Sequence, residues 1–189
     1  MTYYAFINNN KIDGCGQCQC LNPEIQNIPI DEAVYNNIEH YMWDDKDIVL
    51  NPNYDAEQLA KAKEIKYQEA NLKAFEYLES GEAVFEFEEG KSIEATDGNI
   101  AKLGLVLVNF ILTQDYTSTI EWNTKENENV QLNAEQLQVI VVGLQGIQAI
   151  VWTVKFPAYN TAIDEAQTVE EVESIVIDYT IKELPMEDK

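Results

Sequence analysis

Three cysteines and one histidine are the residues whose types and spacing come closest to a reactive site. Cys15, Cys18 and Cys20 crowd one short run, and His40 is the single histidine of the chain. Thiolate and imidazole groups suit a tetrahedral zinc site, but such sites usually take their ligands as two spaced pairs. If the run is a strand, Cys18 and Cys20 share a face and Cys15 does not. Disulfide pairing would leave one cysteine over, and the sequence shows no secretory pattern, so reduced thiols are favoured. Metal binding by these four residues stays open as an alternative.

Other catalytic or nucleotide-binding patterns are incomplete. Gly90, Lys91 and Ser92 resemble the end of a phosphate-binding loop, but Phe85 stands where its first glycine is required. The 34 acidic residues single out no pair, and the sequence contains no arginine to stabilise an oxyanion. We therefore predict that the protein is not an enzyme and uses no cofactor, with a Cys and His dyad as the remaining catalytic alternative.

The charge balance limits the classes of partner. The formal net charge is -22, and all 12 basic residues are lysines. Nucleic acids and anionic membranes require cationic surfaces, so we predict that the protein binds neither. The most apolar window, 139–156, contains two glutamines and a threonine, which favours a core helix over a membrane span, and the first ten residues lack the pattern of a signal peptide. An acidic exterior favours basic partner surfaces.

Short apolar runs and turn residues predict a small β-rich module over residues 1–54. Strands are expected at YYAFI, in the cysteine-bearing run, at YMW and at DIVL, with a broad turn at NNNKIDG. Asp31 is placed to cap one short helix. The prolines at positions 23, 29 and 52 punctuate the module.

A long amphipathic helix is predicted over residues 55–80, ended by Gly81. Its apolar residues fall three, four or seven apart, and we interpret them as one stripe: Leu59, Ala62, Ile65, Leu72, Phe75 and Leu78. Two uses suit such a helix. It either connects two modules or forms a coiled-coil seam through Leu59, Ile65, Leu72 and Phe75 that builds a homo-oligomer.

Residues 81–184 predict a second α+β module, followed by a tail at 185–189. A hairpin turns at Glu89 and Gly90, a helix capped by Asp97 or Asn99 follows, and strands STIEW and NVQL flank the polar loop NTKENEN. Asn133 opens an apolar helix that Pro157 breaks or kinks. A helix with Tyr159 and Ile163 follows, then one opened by the capping box of Thr168 and Glu171. The stretch 175–184 either continues that last helix or forms a strand.

Alternation in STIEWN places Ile120 and Trp122 on one face and Glu121 on the other. We therefore predict that Trp122 lies on the inner face, between the helices that carry Phe110 and Ile140. The predicted class is α+β, with two modules joined by the long helix.

Two parts of the chain resemble bacteriophage tail proteins. Residues 81–184 resemble a domain of unknown function that recurs in phage tail-fibre and tail-assembly genes. The likeness is carried by Trp122, Val130, Leu132, the helix start at Asn133 to Leu137, Tyr159, Ile163, Ala166, Thr168 and the run VEEV. The family commonly has an Asp-Gly turn after the tryptophan, where this chain has NTKENEN. The segments YYAFINNNKI, GQCQCLN, DEAVYNNI and IVLNPNY look like the N-terminal module of small proteins encoded beside tail fibres.

The resemblance implies a tail-associated structural protein or a chaperone-like tail-fibre assembly protein. Its expected partner is a phage tail-fibre or baseplate protein, and its expected location is the virion tail or the host cytoplasm during assembly. The residues considered for partner binding are the aromatic cluster of the first module: Tyr3, Tyr4, Tyr35, Tyr41 and Trp43. The alternative is a receptor- or glycan-binding module displayed on the tail.

Overall fold

A computed structural model describes residues 2–181 and has an α+β fold, as the sequence predicts. The chain divides into two compact units, Met1–Lys61 and Ala62–Lys189. The predicted first module ends at residue 54, and the predicted second module begins at residue 81. The observed division lies inside the long helix because its second half contributes buried side chains to the core of the second unit.

The first unit contains two small antiparallel sheets. Its elements are β1 (Tyr3–Asn8), β2 (Lys11–Gly16), β3 (Gln26–Ile30), α1 (Glu32–Asn36), a 3₁₀ turn (Ile38–His40), β4 (Tyr41–Trp43) and β5 (Ile48–Leu50). Strands β2, β1 and β3 form one sheet in that order, and β4 pairs with β5. β1 alternates as a half-buried strand should: Tyr3, Ala5 and Ile7 are buried. The predicted cap of α1 is confirmed, since Asp31 accepts from the backbone N–H of Val34 at 2.8 Å.

Two predictions for this unit are wrong. The turn is much shorter than NNNKIDG, because Asn9 and Asn10 adopt φ of 48° and 59° and reverse the chain in two residues. Such turns match the twist of a hairpin, and asparagine tolerates the left-handed region. The other error is an omission, because no strand was predicted at β3, which contains Pro29. That proline is tolerated because β3 is an edge strand of the described sheet.

The second unit combines five helices and a π-helical segment with two hairpins among its described residues. Its elements are α2 (Tyr54–Glu79, which starts in the first unit), β6 (Val84–Glu88), β7 (Lys91–Glu94), α3 (Asp97–Thr113), β8 (Ile120–Asn123), β9 (Asn129–Leu132), α4 (Ala134–Ala149), a π-helical segment (Ile150–Lys155), α5 (Phe156–Glu165) and α6 (Val169–Ser174). The largest fully buried side chains come from β7, α3, β9, α4 and the residues after it: Ile93, Leu103, Leu132, Leu137, Ile140, Leu144, Ile147, Val151, Ile163 and Val172.

The hairpins and most helix starts confirm the sequence patterns. The β6–β7 turn contains Gly90 at φ +72°, and β8 pairs with β9 around NTKENEN. Asn133 opens α4 with a capping box to Gln136, and Thr168 opens α6 in the same way. The cap of α3 is a correction. Thr96 is extended and its Oγ1 accepts from the Asn99 N–H at 3.1 Å, whereas the Asn99 amide donates to the Glu94 carbonyl.

The loop NTKENEN is folded onto the neighbouring hairpin. The Ser92 N–H donates to the Glu126 carboxylate at 3.0 Å, and the Ser92 hydroxyl bonds to the same group. The Lys125 N–H donates to the Ser92 carbonyl, and its ammonium donates to the Gly81 carbonyl at 2.7 Å. These contacts join the two hairpins, and they hold the pKa of Glu126 at about 2, chiefly through the bonds from Ser92.

Pro157 does not end the helix in which it lies. The chain stays helical from α4 through the π-helical segment into α5, where Pro157 occupies the first turn. A proline inside an α-helix clashes with the carbonyl four residues earlier and lacks the N–H that would bond to it. The π-helical turn just before the proline is wider than an α-helical turn and changes that spacing.

The stretch after α6 is neither of the two predicted structures. α6 ends at Ser174, and residues 175–181 form no regular element; residues 182–184 of the predicted stretch lie outside the described residues. Side chains bind its backbone instead. The Lys155 ammonium donates to the carbonyls of Asp178 and Thr180, and the Tyr159 hydroxyl donates to that of Asp178 at 2.6 Å. Because these backbone groups are bonded to side chains, they are not used in a strand ladder.

Candidate binding surfaces

The cysteines and His40 do not come together as a metal site. Cys15 lies in β2 and donates to the Tyr35 carbonyl at 3.8 Å, while Cys18 and Cys20 lie in the loop after the strand, so the predicted shared strand face is wrong. Burial raises the pKa of the Cys15 thiol, which favours its protonated form. His40 stacks on Tyr54 at 4.2 Å. Among residues 2–181, no group of three His, Cys, Asp or Glu side chains is placed to hold a metal ion.

The aromatic cluster considered for partner binding is partly core. Tyr3 and Trp43 are buried, and the Tyr3 ring lies 4.5 Å from that of Tyr35. Tyr4, Tyr35 and Tyr41 are half-buried. The rings that β1 and β4 point inward therefore serve the fold of the first unit, and they offer little free aromatic face to a ligand.

The predicted stripe of α2 lies on two different faces. Ala70, Ala74 and Leu78 are buried, but Ile65, Leu72 and Phe75 are 57%, 58% and 51% exposed. At about 100° per residue, Leu72 and Leu78 are turned about 120° apart around the helix axis, so one neighbour cannot cover both. Leu59 is half-buried. The seam residues other than Leu59 thus form an exposed apolar strip on the second unit.

Leu72 and Phe75 line an open groove between α2 and α5. We define the groove by its lining residues Tyr67, Gln68, Asn71, Leu72, Phe75, Phe156 and Asn160, and its volume is about 470 Å³. Trp152 supports its aromatic wall, with ring centroids 4.9 Å from Phe75 and 5.4 Å from Phe156 in edge-to-face geometry. The volume lies in the range of ligand and side-chain pockets.

Polar groups at the groove are placed by contacts between α2 and α5. The Tyr67 hydroxyl donates to the Asp164 carboxylate, which raises the pKa of Tyr67 to about 12. The Lys63 ammonium donates to the Asp164 carbonyl at 2.8 Å. Asn160 is different, because its Oδ1 atom is buried and accepts no hydrogen bond. A buried acceptor without a donor is costly, so a ligand whose donor reaches Asn160 after the side chain turns toward the groove gains that interaction.

A second exposed apolar surface lies on α3. The helix buries two side chains, Leu103 and Phe110, while Leu105 and Leu112 are 73% and 77% exposed. The broad apolar face that the sequence predicts for α3 runs through Leu103, Val106 and Phe110, and it does not include the two exposed leucines. The signal that distinguishes the outer residues is their spacing, since Ala101, Leu105, Val108 and Leu112 follow one another at intervals of four, three and four.

Trp122 confirms the predicted alternation but is less buried than expected. Ile120 and Trp122 are half-buried against the core, and Glu121 and Asn123 are exposed. One side of Trp122 borders a polar pocket of about 240 Å³ with Asn99 and Lys125. The side chain therefore stabilises the second unit while part of its ring remains accessible.

The residues from α4 to α5 also meet a simple test for a membrane span. The helix Ala134–Glu165 is long and apolar enough by length and composition, and 33% of its most apolar window is buried. Core helices of soluble proteins pass the same test.

No protein-family model matches this sequence, and no curated protein or solved structure matches it either.

Proposed function

We propose that this protein is a bacteriophage tail-associated structural or tail-fibre assembly protein that acts by protein–protein binding. Its partner in this proposal is a tail-fibre or baseplate protein, met in the host cytoplasm during assembly or in the virion tail. The tail context is supported by the resemblance of residues 81–184 and of the first module to tail-associated proteins. The observation that carries the binding role is the groove between α2 and α5.

The groove has the chemistry of a site for a protein segment. Leu72 and Phe75 offer an apolar surface that is still in contact with water, and burying such surface favours association. Asn160 offers a buried acceptor without a donor. A peptide segment brings both complements, because an apolar side chain can fill the groove while a backbone N–H donates to the amide oxygen.

Two variants and one control variant test this proposal in binding assays with a phage tail-fibre protein. Leu72→Asp places a charge in the groove and should abolish binding, whereas Val176→Asp changes an exposed apolar residue outside it and should not. Asn160→Leu removes the unpaired acceptor. It should raise the stability of the free protein, because a buried unsatisfied polar atom is replaced by an apolar group, and weaken partner binding.

Two outcomes of the same binding assays would reject the proposal. If Leu72→Asp and Val176→Asp bind the fibre protein equally well, the groove is not the partner site. If the wild-type protein binds neither the fibre protein nor a baseplate protein, the tail-assembly role itself is rejected.

A receptor- or glycan-binding module on the tail is the second candidate. One observation favours it: the groove combines the exposed face of Phe75 with the amides of Gln68, Asn71 and Asn160. Aromatic faces pack against sugar C–H groups, and amides bond to sugar hydroxyls. This candidate would be supported over the first if the wild-type protein binds a saccharide on a glycan array, loses that binding in Leu72→Asp, and does not bind the fibre protein.

A further inference from the structure

We propose that the outer face of α3 is a contact between two copies of this chain. The residues concerned are Ala101, Leu105, Val108 and Leu112, which we call the α3 stripe. All four are exposed, and their spacing of four, three and four residues is that of the apolar positions along a helix–helix seam.

The burial pattern of α3 indicates that the stripe needs a cover. Opposite it, Leu103 and Phe110 fill the core, and Val106 and Leu107 are half-buried beside them. α3 is thus apolar on nearly all sides, which is typical of a helix that is covered all round. Across residues 2–181, Leu105 and Leu112 stay more exposed than the other large apolar side chains of α3.

The distribution of charge indicates which partner binds the α3 stripe. Residues 103–114 contain no ionisable side chain, although the whole chain carries a net charge of -22. A basic partner would find no carboxylate on this part of α3 to pair with. Two copies, in contrast, can meet here without placing their acidic groups in the contact. The second copy is therefore the partner that fits this face, while a basic partner fits the acidic remainder of the surface.

The stripe is also complementary to itself. The intervals of four, three and four residues are the same from either end of the stripe. A two-fold axis midway between Leu105 and Val108 therefore packs two α3 helices against each other in antiparallel orientation. Ala101 then lies opposite Leu112 of the second copy, and Leu105 lies opposite its Val108. The pair Ala101 and Leu112 sets a small side chain against a large one, Leu105 and Val108 pair two branched apolar side chains, and the same patch serves both copies. The stripe covers residues 101–112 of α3, which gives each helix a length of about 18 Å for this contact.

This placement differs from the seam predicted on α2. The α2 strip is interrupted by Gln68 and is flanked by charged residues such as Glu64 and Glu76. Within residues 101–112, the α3 stripe has Lys102 as its one charged neighbour in sequence, and Asp97 and Asp115 lie beyond its two ends. The proposal concerns residues that do not line the groove. Self-association and partner binding can therefore fail independently of one another.

The test is the mass in solution, measured by light scattering at micromolar concentration. The wild type should have twice the 21.6 kDa mass of one chain. Leu105→Asp with Leu112→Asp should give one chain's mass with an unchanged circular dichroism spectrum, since both side chains are exposed. Leu72→Asp is the matched control, an exposed leucine on another helix, and should keep the mass of the pair. If the aspartates reduce helicity, Leu105→Gln with Leu112→Gln replaces them, because glutamine is a good helix former.

Salt provides an independent readout. Two copies of equal charge repel one another, so raising NaCl from about 0.05 M to about 0.5 M should strengthen the pair, whereas a contact with a basic protein would weaken. A wild type that is monomeric throughout this range, or a double variant that still forms pairs, would overturn the proposal. Monomers that bind neutral lipid vesicles through Leu105 and Leu112 would overturn it in favour of a membrane surface.

Discussion

The contact between Gly143 of α4 and Phe85 of β6 gives the sharpest test of how the second unit is assembled. A Cβ atom added at Gly143 would lie 2.4 Å from Cε2 of Phe85 and 2.5 Å from two further ring atoms. Ordinary contacts of this kind are 3.4–4 Å. At Gly146, one turn further along the same helix, an added Cβ meets nothing within 4 Å.

The two sites give opposite expectations for the same substitution. Replacing glycine by alanine inside a helix stabilises it by about 1 kcal/mol. At Gly146 nothing opposes that gain, so Gly146→Ala should raise the free energy of unfolding by about 0.5–1 kcal/mol. At Gly143 the ring of Phe85 must move, and overpacking typically costs about 1–3 kcal/mol. Gly143→Ala should therefore lower the free energy of unfolding by up to about 2 kcal/mol.

The difference between the two variants is the more secure quantity. Helix propensity contributes equally to both, so the difference measures the overlap with Phe85 and should be about 1–3 kcal/mol. Urea unfolding followed by circular dichroism, with wild type and both variants under one condition, measures it. Phe85→Ala in the Gly143→Ala background should restore part of the loss that comes from the overlap. If Gly143→Ala and Gly146→Ala are equally stable, β6 does not pack on α4 as described, and the reasoning is refuted.

Two further predictions concern the β8–β9 hairpin. Trp122→Ala should lower the free energy of unfolding by roughly 2 kcal/mol, about half the cost for a fully buried aromatic ring, whereas Glu121→Ala on the exposed face should change it by no more than about 0.5 kcal/mol. Thermal unfolding followed by circular dichroism measures both variants. An unaltered midpoint for Trp122→Ala would mean that the ring is not part of the core. Glu126 has a pKa lowered from 4.5 to about 2 by its bonds from Ser92, so its ionised form stabilises the folded state above pH 4.5, and that contribution is lost as the pH falls from 4.5 through about 2. Glu126→Gln should therefore show a shallower fall in melting temperature than wild type over this interval, and parallel curves for the two proteins would contradict the assignment.

Local signals in the sequence account for many element starts. Asp31, Asn133 and Thr168 each cap a helix where the sequence places them, because a cap needs one side chain and the backbone N–H groups two or three residues later. The alternation of Ile120 and Trp122 likewise fixes which face of β8 points inward. The same kind of signal misplaced the start of α3, where Thr96, Asp97 and Asn99 are all good capping residues. Thr96 caps because it is the extended one, and that follows from how β7 leads into the helix.

Tertiary packing, in contrast, decided which apolar residues are covered. The spacing of α2 allowed Leu72 and Leu78 to be assigned to one stripe, yet Leu78 is buried and Leu72 is exposed. In α3 the sequence offered an apolar surface on nearly every side, and packing buried the side of Leu103 and left that of Leu105 open. Both candidate surfaces, the groove and the α3 stripe, contain apolar residues that the packing leaves uncovered. Their spacing is visible in the sequence, but only the tertiary structure decides that no other element covers them.

The sequence by itself determined the α+β class, the acidic charge and the positions of most hairpins and helices. These properties depend on residue types and on interactions within a few positions along the chain. The tertiary structure alone decided that Pro29 joins an edge strand, that NTKENEN binds Ser92, and that Asn160 is buried without a donor. Each of these depends on groups that are distant in sequence, and local periodicity carries no information about which distant group arrives.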